Sequence, residues 1–360
     1  MTEREYLTAV YAFPEFGPAH INLLLKYFKK PSKIWGAKTD DLLKIGLSVK
    51  KVGNFGEFRN SFNPEKYFED LAKKKVGFVT LLDKDYPENL SGVDARPVVL
   101  YYKGILKPKE TNLVAIVGTR KMTSYGREVT EKFAGELAGF GVTIVSGLAR
   151  GVDTVAHKAA LGAGGRTIAV LGNGLDTTYP PENEVLAREI VKRGGAVVSE
   201  YPLGYPALPV NFANRNRIIS GLSLAIIVVE GAEKSGTLLT ATHAAEQGRT
   251  VFAVPGPITS PMSAAPLFLL KNGARIASTT QDILEELDLQ VKVDREKIEK
   301  VLPGGKDEEK ILEVLVNESM HLDELVRITG CATSEISARL TIMEMKGLVK
   351  NLGGGIYRKI

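Results

Sequence analysis

The chain has 360 residues, enough for two or three domains, and its 44% hydrophobic and 25% charged residues are typical of a soluble globular protein. A single cysteine, Cys331, excludes an intrachain disulfide and argues against a cysteine-based zinc site. No apolar segment resembles a signal peptide or is long enough to span a bilayer, so the sequence predicts a cytoplasmic protein without a membrane span. The net charge of +5 weakly favours a polyanionic ligand. No segment is strongly basic, so any nucleic acid would bind to a local patch.

Residues 1–65 carry apolar side chains at helical intervals, interrupted by turns at Gly17-Pro18 and at Gly46. This pattern predicts a small helical domain of the SAM-like or helix-hairpin-helix-like type. Such a domain either binds DNA backbone or a partner protein, or serves only for packing, and the residues leave both interpretations open. Two strands are expected next, over Val76–Leu82 and Pro97–Tyr102, as an edge extension of the sheet that follows.

From Leu113 to about Leu287 apolar strands alternate with helical stretches such as Tyr125–Phe140 and Leu238–Gln247. The predicted strands are Leu113–Val117, Val142–Val145, Thr167–Leu171, Ala196–Ser199, Leu224–Val229 and Thr250–Val254. Continuous apolar strands alternating with helices indicate an α/β fold with a doubly wound, Rossmann-like parallel sheet. Ligands of such sheets bind beyond the carboxyl ends of the strands.

The end of the chain is expected to form a separate domain. Residues 291–306 are charged, end in Pro-Gly-Gly-Lys and predict a linker. Within residues 307–360, helices are expected around Ile311–Val316, Leu322–Thr329 and Ser334–Lys346, followed by a hairpin around Gly353 and Gly354. Three helices and a two-stranded hairpin are typical of a winged helix. The domain limits are therefore predicted as 1–65, 66–290, 291–306 and 307–360.

The turns after the strands do not fit a dinucleotide cofactor. That site needs G-x-G-x-x-G after the first strand and an acidic residue after the second. Here the first strand is followed by Gly118, Thr119 and Arg120 only, and the second ends in Ser146-Gly147. A P-loop is also absent from the sequence, so no cofactor is expected.

The same turns are suited to binding phosphate. Gly118 allows close approach of the backbone, and Arg120 can bind phosphate in a bidentate manner. Ser235-Gly236-Thr237 opens a helix whose amino end favours an anion. A single glycine turn is explained equally well by strand-to-helix packing, but several converging turns favour an anion site.

The segment Asn211–Arg217 points to nucleic acid. Phe212 can stack on a base, Arg215 and Arg217 can hold phosphates, and Asn216 can read a base edge. The alternative is that Phe212 is a core residue and that both arginines pair with carboxylates such as Glu200 or Glu230.

Carboxylates also occur near the expected strand ends, at Asp153, Asp176, Glu200 and Glu230, with His157 one helical turn beyond Asp153. A metal site or a general base is conceivable, but structural hydrogen bonds and ion pairs explain these residues more simply. No catalytic residues and no metal ligands are therefore assigned.

Taken together, the motifs resemble those of the DprA/Smf family of bacterial DNA-processing proteins. They follow one another in the family's order over nearly all of residues 113–280: Val117-Gly118-Thr119-Arg120, Ser146-Gly147-x-Ala149-x-Gly151-Val152-Asp153, Gly172-x-Gly174-x-Asp176, Tyr179-Pro180, Ser199-Glu200, Phe212-x-x-Arg215-Asn216-Arg217-Ile218-Ile219, Ser235-Gly236-Thr237 and Pro255-Gly256.

The resemblance implies an extended Rossmann fold that binds single-stranded DNA cooperatively, forms a homodimer through this domain, protects incoming DNA and loads the RecA recombinase during natural transformation. The implied DNA pocket comprises Gly118, Thr119, Arg120, Ser146, Gly147, Phe212, Arg215, Asn216, Arg217, Ser235, Gly236 and Thr237. Two departures weaken the match: Ala265 and Leu267 stand where the family has Gly and Asn, and Pro209 stands where a basic residue would help to hold a strand.

Two other functions are alternatives to this one. Ser235–Thr240 resembles the motif of LOG-like phosphoribohydrolases, but Thr240 occupies the position of the catalytic Glu, which argues against an enzyme. A transcription factor that acts through the winged helix is also disfavoured. Its third helix has only Arg339 and Lys346 against Glu335 and Glu344, so a protein contact or a regulatory role is expected there.

Overall fold

The computed structural model of the chain describes residues 1–287, 306–315, 319–330, 333–345, 348–353 and 355–359. The chain forms two compact units, Met1–Val291 and Lys292–Ile360. Of the predicted linker, residues 291–306, only Lys306 is among the described residues, and it begins a helix. The predicted domain limits are not tested further and stay a prediction.

The chain begins with six helices: α1 (Glu3–Tyr11), α2 (Pro18–Phe28), α3 (Pro31–Trp35), α4 (Thr39–Lys44), α5 (Val49–Ser61) and α6 (Pro64–Lys73). Aromatic rings form their core. Phe16 lies edge-on to Phe13 at 4.8 Å and also contacts Phe55 at 4.8 Å between ring centroids. The same apolar cluster continues into the sheet through Tyr101 and Leu171, so these helices pack directly on the α/β part.

Nine strands form one sheet: β1 (Gly77–Thr80), β2 (Val99–Gly104), β3 (Leu113–Val117), β4 (Thr143–Ser146), β5 (Thr167–Leu171), β6 (Ala196–Ser199), β7 (Ala225–Val228), β8 (Thr250–Ala253) and β9 (Arg275–Ile276). Their order is β1-β2-β6-β5-β4-β3-β7-β8-β9. All neighbours from β6 to β9 are parallel, whereas β2 pairs antiparallel with both β6 and β1. The predicted α/β fold with an edge extension is confirmed, and the short strand β9 is an addition.

Helices cover both faces of the sheet. They are α7 (Glu88–Ser91), α8 (Ser124–Gly139), α9 (Val152–Gly162), α10 (Glu184–Lys192), α11 (Pro209–Leu222), α12 (Gly236–Glu246), α13 (Ala264–Lys271) and α14 (Thr280–Glu286), with 3-10 turns at Pro181–Asn183 and Pro261–Ser263. Within β3, Val114 and Ile116 pack towards α8 and α9, whereas Ala115 and Val117 pack towards α11 and α12. Burial on both faces explains why the strands are continuously apolar.

The position of β3 creates a switch point in the sheet. The chain runs from β3 outwards to β4, β5 and β6, and then returns to the other side of β3 as β7. The loops after β3 and β7 lead to helices on opposite faces, and such diverging loops leave a crevice at the carboxyl ends of the two strands.

The second unit has helices Lys306–Val314, Leu322–Thr329 and Thr333–Met345 and a sheet of order β10-β12-β11, with β10 at Met320–His321, β11 at Val349–Gly353 and β12 at Ile356–Lys359. Ile311, Leu325, Leu340 and Val349 are fully buried in its core. The predicted three helices and hairpin are confirmed. Strand β10 was not anticipated because it has only two residues. Across the described parts of the chain, no helix combines the length and apolarity that a bilayer crossing requires.

Candidate nucleic-acid interface

A cleft of about 450 Å³ lies at the carboxyl ends of β3 and β7, between the turn after β3 and the amino ends of α11 and α12. We call it the sheet-end cleft and define it by the residues that line it. Nine of the twelve site residues predicted from the sequence are among them: Gly118, Thr119, Arg120, Phe212, Arg215, Asn216, Ser235, Gly236 and Thr237. The topological argument therefore located the crevice, although the residues come from three distant segments.

The turn after β3 is held by packing and by backbone hydrogen bonds. An added Cβ on Gly118 would lie 2.5 Å from Val152 Cγ2, so this glycine admits α9 to the turn. The Thr119 amide donates to the Glu230 carbonyl at 2.8 Å, which ties the turn to the end of β7. Arg120 follows and is exposed. Strand-to-helix packing is thus sufficient to explain Gly118. The exposed Arg120 side chain can contact a ligand at the rim of the cleft.

Phe212 presents a half-buried ring to the cleft. The guanidinium carbons of Arg120 and Arg215 lie 5.8 and 5.9 Å from its centroid, within the range of cation–π attraction. Tyr179 lies 5.2 Å from the same ring at an interplanar angle of 38° and is 40% exposed. Sequence reasoning did not include Tyr179 in the site, although the Tyr179-Pro180 motif was a signal for it.

Arg215 is a buried charge that joins three elements. Its Nη1 donates to the carbonyls of Gly147, at 2.7 Å, and Val170, at the ends of β4 and β5. Burial lowers the pKa of Arg215 to about 10, against the opposing effect of nearby Asp153, so the group stays charged at neutral pH. Its guanidinium therefore holds α11 in place and adds positive potential beneath Phe212.

The opening of α12 completes the cleft. Ser235 caps the helix by accepting from the Thr237 amide at 3.2 Å, and its hydroxyl donates to Thr237 Oγ1 at 2.8 Å. Asn216 reaches across from α11 to the Gly236 carbonyl at 3.5 Å. The positive end of the helix dipole thus faces the space in front of Phe212, where an anion is stabilised.

Three of the twelve predicted residues do not line the cleft. Ser146 is fully buried, and its hydroxyl donates to the Ile116 carbonyl at 2.7 Å. Gly147 lies beneath Arg215, where an added Cβ would come within 2.6 Å of Nη2. Both residues support the cleft from below. Their assignment to DNA contact stays a prediction.

Arg217 lies on the other side of α11. It forms an ion pair of 2.6 Å with Glu200 Oε2, and Tyr11 donates to the same oxygen at 3.1 Å. Only 12% of the Arg217 side chain and 4% of the Glu200 side chain are exposed. The arrangement matches the alternative considered for this arginine, pairing with Glu200. A contact between Arg217 and DNA stays a prediction.

The remaining carboxylates make structural hydrogen bonds. Asp153 accepts from the amides of Gly147 at 3.0 Å and Ala149 at 3.3 Å, and burial raises its pKa although Arg215 and these hydrogen bonds oppose the rise. Glu230 accepts from the amide and the hydroxyl of Thr123, at 2.9 and 2.6 Å, at the start of α8.

Asp176 and His157 also make structural hydrogen bonds. Asp176 accepts from the Gly204 amide at 2.8 Å, and His157 is buried against Thr167 with its pKa lowered by burial to about 3. Among the residues that the structure describes, no three His, Cys, Asp or Glu side chains are grouped as a metal would require.

The two departures from the family pattern have structural consequences. Pro209 is the first residue of α11 and lines the cleft, so a proline ring stands where a cation would strengthen phosphate binding. Ala265 is fully buried, its amide donates to the Gly231 carbonyl at 2.9 Å, and its methyl group packs on Gly231. Position 265 is therefore a packing position in this chain.

Two family models and several known proteins match the chain. Residues 77–288 match the family model "DNA recombination-mediator protein A", and residues 301–355 match "DprA winged helix domain". Protein Smf of Synechocystis is 35% identical over 99% of both chains. The structure of DNA processing protein A from Streptococcus pneumoniae is 35% identical, with a TM-score of 0.68 over 79% of this chain and 99% of that one.

A second solved structure adds a ligand class for a relative. DNA processing protein A from Helicobacter pylori, described for its single-stranded DNA binding mode, is 30% identical, with a TM-score of 0.54 over 61% of this chain and 99% of that one. The two family models match residues in both units of the chain, and Smf of Synechocystis aligns with 99% of the chain. The chain therefore belongs to the DprA/Smf family.

Proposed function

We propose that this protein binds single-stranded DNA in the sheet-end cleft and acts as a recombination mediator in the processing of transforming DNA. The observation that supports the proposal most strongly concerns Phe212. Two guanidinium groups lie within 6 Å of its ring, and the ring lines the same cleft as the amino end of α12. The printed description of the Helicobacter pylori relative, which names single-stranded DNA, supports the same ligand.

The chemistry of the cleft favours a single strand over a duplex. Bases of a single strand are free to stack on an aromatic ring, whereas those of a duplex are stacked on one another. Arg120 is exposed beside Phe212 and can bind the phosphate that joins two stacked bases. Because a ring has no preference among base faces, we expect little dependence on DNA sequence.

The test is an anisotropy titration of labelled single-stranded and double-stranded DNA over a salt series. We expect a preference for the single strand and an affinity that falls as salt rises. Arg120→Ala removes one phosphate contact, which corresponds to about fivefold at 0.1 M salt. Phe212→Ala removes base stacking, worth about 1–3 kcal/mol for one base.

Arg188→Ala is the matched control, because Arg188 is an exposed arginine on α10 that pairs with Glu184 at 3.8 Å and does not line the cleft. Equal affinity for both DNA forms, or equal losses in the Arg120 and Arg188 variants, would contradict the proposal.

Two further properties implied by the family are proposed for this chain. The first is a homodimer formed through the Rossmann-like domain. The exposed side chains of Phe268 and Ile276, at 55% and 57%, support an apolar contact near the β9 edge. Light scattering should give twice the chain mass, and Phe268→Glu should shift it towards the monomer.

The second property is the loading of RecA. Assembly of RecA on single strands covered by a single-strand-binding protein should be faster with this chain than without it. The exposed apolar side chains Ile328, Leu352 and Ile356 of the winged helix support a protein contact by that unit. An unchanged assembly rate would refute RecA loading without affecting the DNA-binding proposal.

We propose no catalytic activity. Thr240 lines the cleft, buried, at the position where a LOG-like phosphoribohydrolase needs its glutamate. An aliphatic hydroxyl group does not ionise near neutral pH and cannot replace a carboxylate as general acid or base. Saturable release of free base from nucleoside monophosphates by the purified protein would overturn this. We also propose a cytoplasmic location, where incoming DNA meets the recombinase.

A further inference from the structure

A second and larger depression, of about 730 Å³, lies between α8 and α9. We call it the α8–α9 groove. Three cations line it, Arg127, Arg150 and Lys158, together with the carboxylates Glu131 and Glu182. Gly135, which has no side chain, and Ala159, which has only a methyl group, also line it and leave room between the two helices.

The groove begins where the sheet-end cleft ends. Ala149 lines the cleft, and the next residues, Arg150 and Gly151, line the groove. An added Cβ on Gly151 would lie 2.8 Å from the Arg120 Cα, so the turn that carries Arg120 rests directly on Gly151. The two depressions thus share a rim formed by Arg120 and the loop after β4.

Aromatic side chains lie on the cleft side of this rim, and cationic side chains lie on its groove side. Tyr179 is packed against Phe212 and is 40% exposed, and Arg150 of the groove follows directly after Ala149 of the cleft. Stacking residues followed by cations along a depression are the usual surface for a flexible single strand.

The cations of the groove are available to phosphates. Arg127 pairs with Glu131 at 3.9 Å, and Arg150 pairs with Glu182; all four side chains are about half exposed. Exposed ion pairs of this kind contribute little to the stability of the protein. Each arginine can therefore leave its carboxylate partner and bind a DNA phosphate at little cost in free energy. Lys158, on α9, is exposed and also lines the groove.

We propose that a single strand leaving the sheet-end cleft crosses the rim at Arg120 and continues along the α8–α9 groove, where Arg127, Arg150 and Lys158 bind its phosphates. The inference rests on the proposed function, because it extends the same bound strand. The binding site of one chain then extends beyond the cleft, and the strand leaves the cleft on the side of the α8–α9 groove.

Strand length separates the two sites experimentally. An oligothymidine of about five nucleotides fits the cleft, whereas one of about 15 nucleotides also reaches the groove. The variant Arg127→Ala/Lys158→Ala should bind the short strand as the wild type does. It should bind the long strand about 25-fold more weakly at 0.1 M salt, with a log–log salt slope shallower by about 1.4.

Two further variants sharpen the test. Glu131→Gln removes a negative charge from the groove and should tighten binding of the long strand only. Arg188→Ala, an exposed arginine with an (i, i+4) carboxylate partner like that of Arg127, should leave both strands unchanged.

The possible failures are distinguishable. Unchanged affinity of the double variant for the long strand overturns the groove, and so do equal losses for both strands. In either case an intact effect of Arg120→Ala on the short strand keeps the proposed function. If neither strand binds to the wild type, or if Arg120→Ala has no effect on either, the proposed function fails and the groove fails with it.

Discussion

Replacing Gly147 by alanine tests whether Arg215 holds the sheet-end cleft together. The added methyl carbon would lie 2.6 Å from Arg215 Nη2, 2.7 Å from its Cζ and 2.7 Å from Asp153 Oδ2. Ordinary contacts begin near 3.4 Å, so one side or the other must move by roughly 0.8 Å. Neither group is free to do so, since Arg215 is anchored to two carbonyls and Asp153 to two amides.

The expected cost follows from these contacts. Overpacking a closed site costs about 1–3 kcal/mol, and weakening one charged hydrogen bond adds about 1.5 kcal/mol. We therefore expect Gly147→Ala to lower the free energy of unfolding by about 2.5–4.5 kcal/mol. Because a displaced Arg215 also disturbs its contact with the Phe212 ring, the affinity for single-stranded DNA should fall as well.

Gly135 provides the control, because it lies inside α8 and an added Cβ meets no atom within 4 Å. Gly135→Ala should stabilise the protein by about 0.5–1 kcal/mol through helix propensity. Urea unfolding followed by circular dichroism compares both variants with the wild type under identical conditions. If Gly147→Ala unfolds at the same urea concentration as the wild type or at a higher one, the anchoring role of Arg215 is wrong.

Two other predictions concern buried charges. The pKa of His157 is about 3 in the folded chain against 6.5 for the free side chain, so the unfolded state binds more protons below pH 6.5. The contribution of neutral His157 to stability is therefore fully present above pH 6.5 and falls with the pH, by about 2 kcal/mol at pH 5. His157→Gln should flatten the pH dependence of the urea midpoint. An unchanged slope would contradict the assignment of this pKa to His157. Arg217→Ala leaves buried Glu200 without its ion-pair partner and should destabilise the protein by about 3–5 kcal/mol, whereas Arg217→Met/Glu200→Gln should recover most of the loss. A loss of DNA affinity in Arg217→Ala with unchanged stability would instead favour the DNA contact.

The strands were predictable because their environment leaves a direct mark on the sequence. Leu113–Val117 is apolar at every position, since helices cover both faces of the sheet, and its observed limits equal the predicted ones. Strand β9 was missed because Arg275 and Ile276 are both exposed at the sheet edge and carry no burial pattern.

Part of the site was also predictable, and helix geometry explains where the prediction stopped. Phe212, Arg215 and Asn216 are spaced i, i+3 and i+4 on α11 and share the face that lines the cleft. Arg217 is the next residue, about 100° further round the helix, and it points to Glu200. Treating 209–222 as a helix would have separated Arg217 from the others.

The sequence by itself determined the alternation of strands and helices, and the glycines, hydroxyls and arginines at the strand ends. These features depend on periodicity and residue type, which are local. Only the tertiary structure decided which of these side chains meet. Arg120 reaches Phe212, and Arg217 finds Glu200 and Tyr11, because packing brings together segments that are far apart in the chain. Contacts between distant segments depend on how every element between them packs, and no local pattern encodes them.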